Sequence, residues 1–297
     1  MKSIIYLLLS LLTGVPCTAD NRNFVGSTPG DGLIKSLLSI PATTTVDFIN
    51  WQLELKEEAT APNSFKLSIH FGASQPNTLG FINGGEKRSF EGTFTVAKNE
   101  NSEIGSDIYR LKSKNLPKEI SLLKISENLL HLVTAQNQLM VGNGGWSYSL
   151  HRKERVGSNK MLISSSVRAE KSLQLIFDGR TPCREMSTAY PEMKADASCF
   201  KLKWRLVLNR DSLTLLPTTC SIRNVVDNQP RDIAGTWTII NGTATNPQAI
   251  IYKIQVDKLA EPILFFAADE NVLFFIDQNY QPLIGNENFS FAMNKRQ

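Results

Sequence analysis

The chain contains an internal duplication, which limits the folds open to it more than any other feature of its sequence. Gly92-Thr93-Phe94-Thr95 returns as Gly235-Thr236-Trp237-Thr238, and Ile108-Tyr109-Arg110-Leu111 returns as Ile251-Tyr252-Lys253-Ile254, both at a separation of 143 residues. The same separation pairs Glu127-Asn128-Leu129-Leu130 with Glu270-Asn271-Val272-Leu273, Val141-Gly142-Asn143 with Ile284-Gly285-Asn286, and the run Trp146 to Leu150 with Phe289 to Met293. Compositional bias does not hold one spacing through five blocks. Upstream, Phe65-Lys66-Leu67 aligns with Phe200-Lys201-Leu202 at a separation of 135, which would make the second copy longer between the two sets of blocks. Solenoid units run to only ~20 to 50 residues, so a repeat of this length is a whole domain and the chain holds two in tandem.

Each copy is written in strands. Trp146, Tyr148 and Leu150 alternate with Ser147, Ser149 and His151, and Phe289, Phe291 and Met293 alternate with Ser290, Ala292 and Asn294, the period-two pattern of a half-buried final strand. Gly142-Asn143 and Gly285-Asn286 precede them where the chain must reverse. A further hairpin runs from Ile120 to Val133 around Ser126-Glu127-Asn128, with its counterpart from Ile263 to Ile276 around Asp269-Glu270-Asn271. No long 3.6-residue periodicity interrupts these strands. The expected fold is therefore all-β, two tandem lipocalin-like antiparallel β-barrels arising from the duplication, since closure removes exposed edges; a sandwich is the alternative. The expected layout is a signal peptide over 1–19, a glycine- and proline-containing tether over 20–43, a first barrel over 44–153 and a second over 162–297. A polar boundary lies near Lys153 to Lys160.

The N-terminus reads as an export signal: Lys2, an apolar run from Ile4 to Leu12 broken only by Ser10, then the small-residue segment Gly14 to Ala19. Cleavage after Ala19 is one outcome. Acylation of Cys17, as in a bacterial lipoprotein, is the other, although Pro16 and Gly14 stand where such a site carries a small and an aliphatic residue. The body has 41% apolar and 20% charged residues, and its net charge of +4 is not gathered into basic runs. That balance excludes disorder and gives no footprint for nucleic acid.

Gly179-Arg180-Thr181-Pro182-Cys183 follows the apolar run Leu173 to Phe177 and precedes Cys199, a Gly-Thr-Trp strand at Gly235, Tyr252, a hairpin with Asp277, Ile284-Gly285-Asn286 and a final alternating strand. This order resembles the N-terminal domain of the NlpE-like envelope lipoproteins, directly over residues 170–297 and through the repeat over 45–152. The resemblance implies a lipocalin-like barrel, a non-catalytic binding or sensing role in copper homeostasis or envelope stress, and a place in the periplasm or on a lipid anchor. Where that family has Cys-x-x-Cys, this chain reads Cys183-Arg184-Glu185-Met186, and the first copy has no cysteine.

Beyond the signal, three cysteines remain. Cys183 and Cys199 flank a segment particular to the second copy and are expected to form a disulfide in an exported protein, leaving Cys220 as an odd thiol packed against a strand. The competing use of that segment is soft-metal binding, because Cys183, Met186, Met193 and Cys199 lie within 17 positions, and thiolate with thioether ligands selects Cu(I). A disulfide would consume both thiolates. His70, His131 and His151 lack ligand spacing; the repeat replaces His131 by Phe274, marking a core position, and His151 is expected to be solvated. Gly142-Asn143-Gly144-Gly145 leads into a strand and is a turn instead of a phosphate loop. Glu127 and Glu270 belong to hairpin turns, and no nucleophile elbow, zinc helix or Walker sequence occurs, so no enzyme is expected. The expected partner is an envelope protein or a small ligand. The alternative is a structural or interaction module with filled barrels and no small-molecule ligand.

Overall fold

The structure is a computed structural model that describes residues 20–58, 61–99, 106–157, 159–168, 170–192, 199–226, 229–256 and 259–296. Among these residues, sixteen strands close into two eight-stranded antiparallel barrels, each in chain order. The first comprises β1 (Asp20–Pro29), β2 (Phe48–Glu57), β3 (Ser64–Gly72), β4 (Glu86–Lys98), β5 (Asp107–Lys112), β6 (Ile120–Ser126), β7 (Leu129–Val133) and β8 (Ser149–Arg152), which pairs back to β1. The second comprises β9 (Gln174–Thr181), β10 (Leu202–Arg210), β11 (Pro217–Val226), β12 (Gln229–Thr243), β13 (Asn246–Val256), β14 (Ile263–Ala267), β15 (Val272–Ile276) and β16 (Ala292–Lys295), which pairs back to β9. Strand alternation fills each interior: in β3, Phe65, Leu67, Ile69 and Phe71 are buried while Lys66, Ser68 and His70 turn outward. Trp51, Phe71, Tyr109 and Tyr148 in the first barrel, and Phe177, Trp204, Phe265 and Phe275 in the second, are at most 4% exposed. A void able to hold water would expose the side chains around it, so the interiors are packed at these positions.

Residues 20–43, expected as a tether, are part of the first barrel. They supply β1 and the helix α1 (Gly32–Leu37), whose N-terminus is capped by Asp31 and whose Ile34 joins Leu38 and Ile40 in the interior cluster. A second helix, α2 (Cys183–Ala189), follows β9 in the same way and buries Cys183 and Met186. The first barrel therefore begins at Asp20 and not at residue 44. Its sign in the sequence is a further repeat at a separation of 153: Phe24-Val25-Gly26-Ser27-Thr28-Pro29 returns as Phe177-Asp178-Gly179-Arg180-Thr181-Pro182, and Trp51 as Trp204. The equivalence extends to bonding, since the Trp51 indole donates to Thr28 and the Trp204 indole to Thr181, both at 2.8 Å.

The alignment of Phe65 with Phe200 is corrected as well. Phe65 lies opposite Gly92, and the residue opposite Gly235 is Cys220, so Cys220 takes the place of Phe65 in the second barrel. The second copy is the shorter one here: two residues join β11 to β12 where thirteen join β3 to β4. The repeated glycine is required by close approach, because a Cβ on Gly92 or Gly235 would stand 2.1 Å from the carbonyl oxygen of Lys112 or Gln255.

The final strands also differ from expectation. β8 starts only at Ser149, and Ser147 to His151 are all buried, His151 to 1% exposure. The outer face of this strand meets the other barrel instead of solvent. A third apolar core joins the barrels, built from repeat-related pairs: Ile108 and Ile251, Leu123 and Phe266, Ile125 and Ala268, Leu129 and Val272, Val133 and Ile276. His131 meets Phe274, its own repeat counterpart, edge to face at 5.5 Å. The amide of Gly142 donates to Asn294 Oδ1 at 2.7 Å, and that of Gly285, its counterpart, donates to His151 Nδ1 at 3.3 Å. Residue i thus contacts j while the counterpart of i contacts the counterpart of j, the signature of a two-fold interface. The connection between barrels is pinned into it. Arg155 donates to the carbonyls of Ile284 and Gly285, Asn159 donates to that of Pro282, and Met161 and Ile163 are buried in the shared core.

Phe274→Ala should therefore cost about 3–5 kcal/mol, and the barrels should unfold together. Fluorotryptophan NMR reads this directly, because Trp51 and Trp146 report on the first barrel and Trp204 and Trp237 on the second; two separate transitions would refute the shared core.

The buried histidines give a pH dependence. His131 Nε2 donates to the Met140 carbonyl and its Nδ1 accepts from Ser149, and burial depresses its pKa to about 4. Burial, then the neighbouring charges of Arg155 and His131, hold His151 at about 3. The unfolded chain takes up these protons below about pH 6.5 while the folded one does not, so their stabilisation is full above that pH and is lost as pH falls toward 4. Urea denaturation between pH 7 and 5 should show a loss approaching about 1.4 kcal/mol per pH unit for each histidine, and His131→Phe should remove its share.

Candidate functional site

The two-fold seam places two equivalent turns against the neighbouring barrel. In one, Asn143 Oδ1 accepts from the amides of Gly145 and Trp146 at 2.9 and 3.0 Å; in the other, Asn286 Oδ1 accepts from Asn288 and Phe289 at 3.0 and 3.1 Å. The turn expected at Gly142 to Gly145 is thus observed, and so is its repeat. The two have diverged in what they face. On the first-barrel side, the Ser27 hydroxyl donates to the Glu287 carbonyl at 2.6 Å and Phe289 is 5% exposed, which closes the seam.

On the opposite side the counterparts are Arg180 for Ser27, Gly144 for Glu287, Gly145 for Asn288 and Trp146 for Phe289. Gly144 has φ of +74°, and a Cβ there would sit 2.7 Å from Asp178 Cβ, so only glycine makes this approach without strain. The Arg180 guanidinium lies over the Trp146 ring at 4.9 Å. Trp146 is stacked in turn on Phe48 at 4.9 Å with an interplanar angle of 9°, and Phe48 on Phe81 at 4.3 Å, so the platform beneath Arg180 is anchored in the first barrel. Beside it opens a groove of about 350 Å³, whose lining includes Gly144, Asp178, Arg180, Lys203, Arg205 and Arg223. That volume falls within the ~300–1,000 Å³ range of small-ligand sites.

Its electrostatics are one-sided. Asp178 is engaged by Arg205 through both oxygens at 2.8 and 3.0 Å, and Asp232 by Arg223 at 2.8 and 2.7 Å. Arg180 and Lys203 lie directly opposite one another in the β9–β10 register, and neither is in an ion pair among the described residues. Burial holds the Arg180 pKa below its ordinary value. Lys201 is also held below its ordinary value, by burial first and then by the charges of Arg180 and Lys203. A larger recess of about 460 Å³ lies beside α2, but its charged groups are already engaged: Arg155 on carbonyls, Glu185 accepting from Asn286, and Asp277 accepting from the amides of Asn279 and Gln281.

The residues singled out from the sequence sit elsewhere. Cys183 and Cys199 form the expected disulfide, with Cα atoms 5.9 Å apart. Met186 is wholly buried in the barrel core, while Met193 and Cys17 lie outside the described residues. This set does not fit Cu(I) in the disulfide form, since both thiolates are consumed. Cys220 is buried, which pushes its thiol up to about 11. His70 Nε2 bonds the Gly84 carbonyl, and Glu127 pairs with Lys124. Among the described residues no three His, Cys, Asp or Glu side chains gather as a metal site. Arg180 and Trp146 escaped notice as a pair because the counterpart of Arg180, Ser27, lay in the supposed tether. No protein-family model, curated protein or solved structure matches the chain.

Replacing Cys183 and Cys199 together by serine should lower stability by roughly 3 kcal/mol on chain-entropy grounds, read by chemical denaturation without reductant.

Proposed function

We infer that the protein is a non-catalytic binding or sensing module of the bacterial cell envelope, exported by its N-terminal signal and held in the periplasm or by a lipid on Cys17. The resemblance to NlpE-like proteins supports the compartment and the class. The observation that carries binding is the divergence of the two sides of the seam: one is tied by the Ser27 bond to Glu287, whereas the other packs Gly144 against Asp178 and sets a stacked Arg180, outside any ion pair among the described residues, at the edge of the groove. Equivalent surfaces that only held the barrels together would have no reason to differ this way. The ligand therefore belongs at the seam, not in the barrel interiors, whose aromatic residues are packed together.

A second reading, an interaction module without a small ligand, draws on the hairpin between β10 and β11, where Leu213 is 91% and Leu216 62% exposed. Native mass spectrometry of protein recovered from its own envelope fraction distinguishes the two. A small mass retained by the wild type and lost in Arg180→Gln is expected. A protein partner retained equally by both would favour the interaction module. The same spectrum reports acylation of Cys17 or a chain starting at Asp20.

A further inference from the structure

Building on the seam groove as the binding site, we propose that its ligand presents a compact phosphate-type dianion, held by Arg180 and Lys203. Like charges set opposite one another in a β-ladder destabilise it, and the Arg180–Lys203 pair is such an arrangement. The nearby acids do not relieve it, since Asp178 and Asp232 give both oxygens to Arg205 and Arg223.

The fold does not need these cations. At a separation of 153, the first copy has Ser27 for Arg180 and Asn50 for Lys203, and it builds the same strand pair with Ser27 opposite Asn50. Both positive charges are thus particular to this side of the seam. A guanidinium fixed by stacking keeps its in-plane N–H groups for a forked contact, and the Lys203 ammonium adds a point charge beside it. A carboxylate would offset one of the two charges; a phosphate monoester carries about −1.5 to −2 at neutral pH and offers three acceptor oxygens.

The test is calorimetric titration of the intact protein at low ionic strength with inorganic phosphate, and with acetate as the monoanion. Phosphate should bind at one site, acetate should bind about tenfold more weakly, and Arg180→Gln or Lys203→Asn should each weaken phosphate roughly 10- to 100-fold. Lys203 is exposed and Asn is what the first copy carries, so that variant keeps the test sound should Arg180→Gln misfold. Phosphatidylcholine vesicles with and without phosphatidic acid separate the sources: Lys203-dependent retention on the acidic vesicles assigns a lipid headgroup, and phosphate binding without retention assigns a soluble ligand. Either upholds the site. Phosphate and acetate binding alike, or phosphate binding indifferent to both substitutions, overturns the proposal. A native ligand that needs Arg180 but is not displaced by phosphate would overturn only the phosphate assignment and leave the groove as a binding site.

Discussion

The outward faces of β6 and β7 and of β14 and β15, with Ile108 and Ile251 beside them, are largely apolar, and neither barrel can present such a face to water. Everything else about the molecule's layout follows from that constraint. Burying Ile108, Leu123, Leu129 and Val133 against their own repeat counterparts forces a two-fold arrangement, which brings His131 onto Phe274 and sets Gly142 and Gly285 beneath Asn294 and His151. The connecting segment is drawn in with them through Arg155, Asn159, Met161 and Ile163. Two-fold interfaces usually arise between identical chains; here one chain supplies both halves.

The sequence revealed the barrels through strand periodicity and the repeat, because closing a meander of short strands is a local problem whose solution is written in turn residues and alternation. The seam was not legible in the same way. Ser147, Ser149 and His151 read as a solvent face because alternation reports only that a side chain points away from the barrel interior. It does not report what lies beyond, and here a second barrel does. The lead-in over 20–43 was hidden for a different reason: glycines and prolines usually mark loops, but Gly26 packs against the backbone of Ser149, and Pro29 ends β1 where α1 must begin. The repeat Phe24 to Pro29 was visible all along at its own spacing.

A duplicated protein carries its own control experiment. Positions that the fold requires stay alike in both copies, as the Trp51 and Trp204 bonds to threonine and the close-packed Gly92 and Gly235 do. Positions free of that requirement can change on one side alone. Around the seam those differences run together: glycines stand where the other side has Glu287 and Asn288, a tryptophan where it has a phenylalanine, and two cations where it has serine and asparagine. Platform and charge both lie on the same side.

The shared core also imposes an order on the making of the protein. A ribosome delivers the first barrel while the second is still unsynthesised, so Ile125, Leu129 and their neighbours stay uncovered until β13 to β15 emerge more than a hundred residues later. For that interval the half-made chain carries an adhesive surface that would accept the same face of another nascent copy, since the two-fold geometry suits either partner. Nearness settles the contest: the tethered second barrel is always at hand, whereas a stranger must arrive by diffusion. The pinned connection between the barrels thus guards against cross-pairing as well as joining them.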